Sequence, residues 1–204
     1  MEYFSAAPVT SSVLLANIIA SMIGFASPDF VTQNAFWIRP IREQRQWHRV
    51  ITSGFLHVAT WHLFANMITL YYFGPWLEHV FGATGFLILY FGSLLGGSMW
   101  DVVDKRNKPD YRAVGASGAI SGLMSAVGII FPFLTIGIFG ILPVWAGAYA
   151  VIFIVISYGL SKREDAIIGH GAHLGGALAG IVITLLLRPE SFSELIQQIS
   201  EKFG

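Results

Sequence analysis

The chain has 204 residues, of which 54% are hydrophobic and 12% charged, with a mean hydropathy of +0.64. Too few charges are present to cover a water-soluble domain, so composition excludes that class and points to a polytopic membrane protein. The 12 Lys and Arg balance 12 Asp and Glu, which offers nucleic acid no general attraction, and the lack of cysteine removes disulfides, thiolate nucleophiles and cysteine-bound metals.

A helix needs about 17 to 25 apolar residues to cross the hydrocarbon core, and six stretches meet or approach that length. The first, 9–26, is punctuated by Thr10, Ser11, Ser12 and Asn17 and ends at the turn signal Ser27-Pro28-Asp29. No Lys or Arg precedes it, so it lacks the basic flank of a secretory signal and is expected in the mature protein. The connection 28–55 interleaves Arg39, Arg42, Arg45 and Arg49 with Phe36, Trp37, Ile38, Ile41 and Trp47, a mixture that predicts an amphipathic segment lying in the interface. The second span, 60–80, carries His62, Asn66 and Glu78; the third, 85–100, is glycine-rich at Gly92, Gly96 and Gly97. A polar loop is expected over 101–110. The fourth span, 115–130, opens with Gly115-Ala116-Ser117-Gly118-Ala119-Ile120-Ser121-Gly122 and is closed by Pro132. A short connection follows over 133–143, then a fifth span, 144–160, and a sixth, 169–187, stopped by Arg188-Pro189. The tail 190–204 reads as a short amphipathic helix outside the bilayer core. With no internal repeat, the expectation is one all-α membrane domain, a bundle of these six spans, and a repeat-built transporter finds no support.

The run from Gly115 to Gly122 has two readings. A serine at a helix start lies beside N–H groups without internal partners, a natural place to stabilise an oxyanion. Gly118 and Gly122 also form a small-xxx-small pattern that lets two membrane helices touch. Polar residues within spans are costly and are functional candidates by default. His62 and Asn66, four apart, share a helix face, either as hydrogen-bonding glue or as donors for chemistry. His57, five before His62, reads as a structural partner. His170 and His173 share a face of the sixth span, beside Gly176-x-x-x-Gly180, which permits the close helix approach a serine and a histidine on different helices need.

Four histidines could in principle converge on a metal. The spacing His62-Leu-Phe-Ala-Asn66 is no His-Glu-x-x-His, however, and no acid is expected deep within a span, so neither a metal nor another cofactor is expected. The same shortage argues against an aspartyl protease and against the third member of a Ser-His-Asp triad.

These pieces resemble the rhomboid family of intramembrane serine proteases. Trp47-His48-Arg49 is similar to its Trp-Arg element, His62-x-x-x-Asn66 to its His-x-x-x-Asn, Gly115-Ala116-Ser117-Gly118 to its Gly-x-Ser-Gly, and Ala172-His173-x-x-Gly176-x-x-x-Gly180 to the motif of its sixth helix. The resemblance implies a six-helix fold and cleavage of transmembrane segments in membrane-protein substrates by a Ser-His dyad. Ser117 would be the nucleophile and His173 the base, rather than His170. His62, Asn66 and the Ser117 N–H would form the oxyanion hole, and Arg49 and Glu78 would be structural. One departure is Ser121, where some members place a tyrosine that stacks on the catalytic histidine. A proteolytically silent relative that binds membrane helices as chaperone or adaptor is the alternative, although it would have no need of Ser117 and His173.

A compact chain of this kind is most like prokaryotic members, so a multi-pass protein of a prokaryotic inner membrane is expected. The family topology places the N-terminus inside. The positive-inside rule opposes it, because Arg39, Arg42, Arg45, Arg49, Lys105, Arg106, Lys108, Arg112, Lys162 and Arg163 follow spans one, three and five, against Arg188 and Lys202 on the other side. The family topology is adopted here.

Overall fold

Backbone N–H and C=O groups in hydrocarbon can pair only with each other, so apolar stretches become helices. The computed structural model describes residues 6–138, 141–161 and 170–204. In chain order these form α1 (Pro8–Ala26), α2 (Pro28–Asn34), β1 (Phe36–Trp37), α3 (Ile38–Glu43), α4 (Arg49–Thr52), a 3-10 turn (Ser53–Phe55), α5 (Thr60–Asp104), β2 (Arg112–Ala113), α6 (Ser117–Ile130), β3 (Thr135–Ile138), β4 (Leu142–Trp145), α7 (Ala146–Ser161), α8 (His170–Leu187) and α9 (Glu190–Phe203). Three of them, α1, α5 and α8, are long and apolar enough to cross a membrane, whereas α6 and α7 are apolar but shorter, at 14 and 16 residues.

The 45 residues of α5 are two helical arms joined at Gly82, whose φ of 67° and ψ of 170° break the helix in a conformation that favours glycine. The stretches 60–80 and 85–100 therefore lie on one nearly continuous element. Its second arm runs on to Asp104, which corrects two expectations. Asp101 is helical rather than in a loop, and at 1% exposure it is a buried acid within an apolar helix, where none was expected. The Tyr111 hydroxyl donates to Asp101 Oδ2 at 2.9 Å, and Gly171 at the start of α8 closes over Oδ1. Gly171 comes from distant chain and Tyr111 from beyond the turn that ends α5, so neither contact was visible in the helical pattern.

At the centre stands α6, buried at every position from Gly118 to Gly128. Helices in lipid gain little from apolar contact as such and associate through close packing. Here glycine provides it: a methyl on Gly176 would overlap the Gly118 carbonyl, one on Gly180 would overlap Gly122, and one on Gly97 would overlap the Ala172 carbonyl. The first arm of α5 turns Leu63, Met67, Leu70, Gly74 and Leu77 inward, while Trp61, Phe64, Tyr72 and Trp76 face outward. Looser packing marks α7, which buries only Ala146 and Ser157.

Buried polar groups hold the ends. Glu78 accepts from the Val9 and Thr10 N–H groups at 3.0 and 2.7 Å and from the Thr10 hydroxyl at 2.7 Å. A carboxyl there satisfies two of the orphan donors in the first turn of α1, each of which would cost about 1–3 kcal/mol if buried without a partner. Arg49, also buried, donates to the Thr32 and Ala35 carbonyls at 2.8 and 2.9 Å and to Gln46 at 2.7 Å, tying the Arg-rich connection to itself. Burial first, and then the charge of Arg112, lowers its pKa.

That connection is not a single amphipathic helix. It is broken into α2, β1, α3, α4 and the 3-10 turn, and β1 pairs antiparallel with β2, Phe36 opposite Ala113 and Trp37 opposite Arg112. Between α6 and α7, β3 and β4 form a hairpin where only a connection was anticipated. The tail helix α9 leaves Phe192, Ile196, Ile199 and Phe203 exposed along one face. Phe203 also packs on Phe133 and Trp145 of the hairpin region, at 5.7 and 6.0 Å between centroids.

Candidate active site

Ser117 is the first residue of α6, so its N–H and those of Gly118 and Ala119 have no acceptor within the helix. The approach to it is set by Gly115, whose φ of +130° is a left-handed value. A side chain there would also displace His62, because a methyl would lie 2.6 Å from its Cε1. The strand pairing and the bond from Gly115 N–H to the Ser53 carbonyl, 3.0 Å, fasten this lead-in to the first connection.

Two helices meet through Gly118 and Gly176, and beside that contact, where Ser117 adjoins Gly118 and His173 lies one turn before Gly176, Ser117 Oγ lies 2.8 Å from His173 Nε2. The serine hydroxyl can donate to this nitrogen and so can lose its proton to it. His170 touches the His173 ring edge-on, 5.7 Å away, and makes no bond to Ser117. Ser121 turns its hydroxyl to the Ser117 carbonyl of its own helix, at 2.6 Å. The ring against His173 belongs instead to Phe153 of α7, with centroids 5.6 Å apart and planes at 32°.

His62 and Asn66 project from the start of α5 into a cavity of about 650 Å³ that is also lined by Ser117, Tyr149, Phe153 and His173. Behind them sits His57, fully buried. Asn66 Nδ2 donates to His57 Nε2 at 3.0 Å, and the Ala116 N–H points at the same nitrogen from 3.4 Å. An Nε2 facing two donors is an acceptor, so the proton belongs on Nδ1, which lies 2.9 Å from Ser21 Oγ; that hydroxyl in turn donates to the Phe55 carbonyl at 3.1 Å. Burial above all, and then the neighbouring His62, pushes His57 down to about 3, so it is neutral. What the site can do chemically is transfer a proton from an alcohol to an imidazole beside unpaired N–H donors.

A family profile for the rhomboid domain matches residues 44–190. The chain belongs to the rhomboid family. Among its curated relatives, Rhomboid protein 1, mitochondrial, of Saccharomyces cerevisiae is 32% identical over 65% of this chain. RHOMBOID-like protein 5 of Arabidopsis thaliana is 33% identical over 83%, and Rhomboid protease GluP of Bacillus subtilis is 27% identical over 67%. The chain spans 40%, 53% and 25% of those three proteins, respectively. As a rhomboid protein it is a multi-pass membrane protein.

The rhomboid-domain match takes in every candidate site residue named from sequence, from Arg49 to Gly180. Glu78 holds the start of α1 and does not line the cavity, while Arg49 and His57 stand behind its lining, Arg49 bonded to Thr32 and Ala35 and His57 to Asn66. Sequence reasoning missed Phe153, Ser21 and Asp101. Phe153 sits in a uniformly apolar stretch and carries no signal of its own. Asp101 was recognisable only as an acid bordering a span. Lys162 and Arg163 of the charge comparison lie outside the described residues. Among the described residues, no three His, Asp or Glu side chains group as a metal site.

Proposed function

We propose that this rhomboid protein is an intramembrane serine protease, a six-pass bundle in which each arm of α5 crosses the bilayer once and α6 and α7 make the shorter crossings. It cleaves transmembrane segments of membrane-protein substrates with Ser117 as nucleophile and His173 as base. The observation that carries the reading is the 2.8 Å contact between Ser117 Oγ and His173 Nε2, made between two helices at a cavity.

In the first step Oγ attacks the scissile carbonyl while its proton passes to His173 Nε2. The negative charge on the carbonyl oxygen is met by the Ser117 N–H, the Asn66 amide and the His62 imidazole. His173 then returns the proton to the leaving amine, the C–N bond breaks, and an acyl-enzyme remains on Ser117. Water, deprotonated by His173, repeats the cycle to release the acid and restore the serine. A helical substrate hides its peptide bonds in its own hydrogen bonds, so cleavage sites are expected where small or helix-breaking residues let the helix unwind.

The test is cleavage of a single-span model substrate by purified protein in detergent, with fluorophosphonate labelling in parallel. Ser117→Ala should abolish labelling, and both Ser117→Ala and His173→Ala should reduce cleavage at least about a thousandfold. Cleavage retained by either variant would overturn the dyad. A wild-type protein that is neither labelled nor active would favour the silent, helix-binding alternative.

A further inference from the structure

A base that takes a proton from an alcohol has to be held with its nitrogen aimed at that alcohol. Among the described residues the usual means, an acceptor on the second ring nitrogen, is missing. Among the described residues, His173 makes one hydrogen bond, through Nε2 to Ser117, and no carboxylate or carbonyl accepts from Nδ1. Asp101, a buried acid of the cavity lining, accepts from Tyr111 through Oδ2, its Oδ1 has no hydrogen-bond partner among the described residues, and neither oxygen bonds His173. With only one nitrogen fixed, the imidazole is free to tilt about the line to Ser117 unless its faces are packed.

Two side chains pack it. His170 lies edge-on at 90°, one turn back on the same helix, and moves with it. Phe153 lies across the ring at 32° and comes from a different helix, α7. Phe153 is itself backed by Tyr149, one turn earlier, in a stacked pair 5.8 Å apart at 24°. On α6 the position facing the same space is Ser121, whose hydroxyl is turned onto its own helix.

We propose that Phe153, backed by Tyr149, is a positioning residue for His173: the α7 ring pair sets the tilt of the imidazole that a second hydrogen bond would otherwise set. The proposal rests on the reading of Ser117 and His173 as the dyad. It makes proton transfer depend on the placement of α7, which buries fewer of its residues than α5, α6 or α8.

Steady-state cleavage of the single-span substrate and the rate of fluorophosphonate labelling test it together, because the small probe reports on the dyad without a substrate helix. Phe153→Ala should lower kcat and the labelling rate in parallel, by about 10- to 100-fold, the scale expected from misplacing a catalytic group by an ångström, while KM stays within twofold of wild type. Phe153→Tyr, which keeps the ring, should restore both to within about threefold, which also shows that α7 still folds. Unchanged or faster labelling in Phe153→Ala would overturn the proposal and make the ring a plug of the cavity. A raised KM with kcat and labelling intact would overturn it as well, making Phe153 a substrate contact. Loss of activity in Phe153→Tyr equal to that in Phe153→Ala would likewise count against it. Labelling that survives Ser117→Ala would instead remove the dyad reading, a failure distinct from any outcome at Phe153.

Discussion

His57 shows what one side chain does here beyond filling space. Its Nε2 receives the Asn66 amide and faces the Ala116 N–H, so it links the candidate oxyanion donor to the backbone next to Ser117. Protonation would turn that acceptor into a donor aimed at two other donors. The sign of the pH effect follows. His57 is depressed to about 3 in the fold against an unfolded 6.5, so the stability it contributes is whole above about pH 6.5 and declines as the pH falls towards 3. Each unit in that window costs about 1.4 kcal/mol. Thermal unfolding in detergent should therefore show the wild-type Tm falling between pH 6.5 and 4, and His57→Gln, which cannot take up the proton, should fall less steeply. Parallel curves would show that His57 does not carry the acid sensitivity.

At the scale of elements, the contact of α6 with α8 decides whether Ser117 and His173 meet at all. Backbone touches backbone there, at Gly118 with Gly176 and at Gly122 with Gly180, and no soft side chain end is available to yield. Gly180→Val should thus push the helices apart, destabilise by about 1–3 kcal/mol or more through overpacking, and slow fluorophosphonate labelling although no reacting group has changed. The control is Gly159→Ala in α7, where an added methyl meets nothing within 4 Å. It should leave labelling unaltered and raise helix stability by up to about 1 kcal/mol. If both variants behave alike in Tm and labelling, close approach is not what these glycines provide.

The whole molecule has one crowded side. The first connection and the segment from Lys105 to Gly115 lie together there, joined by the β1–β2 pairing, and the cavity with Ser117 opens beneath them. Half of the ten cations that oppose the adopted topology are engaged in this layer. Arg39 pairs with Asp110 at 2.9 Å, Arg42 donates to the Arg106 carbonyl, Arg49 is buried, Lys105 pairs with Asp104, and Arg112 lies 3.6 Å over the Trp37 ring. Arginines used as structural ties are retained for the fold, whichever side of the membrane they occupy. With the six passes proposed above and the adopted topology, both termini would lie inside. A reporter pair fused after Gly204, one active only in the cytoplasm and one only outside it, should read cytoplasmic; the opposite reading would invert the topology and the side of cleavage.

Much of this was legible in residue order because membrane helices announce themselves by length and apolarity, and because the motif at Gly115 to Gly118 and the glycines at 176 and 180 state local needs: a helix start and a place to touch. Even the spacing of His62 and Asn66 follows from the helical period alone. Other features depend on which distant segments meet. The pairing of Phe36 with Ala113, the burial of Asp101 under Gly171 and Tyr111, the network of His57 with Ser21, and the Phe153 ring on His173 each join residues from separate elements. No periodicity in either partner records the other. Composition and pattern specify what each helix must hide; only the packed bundle specifies against what.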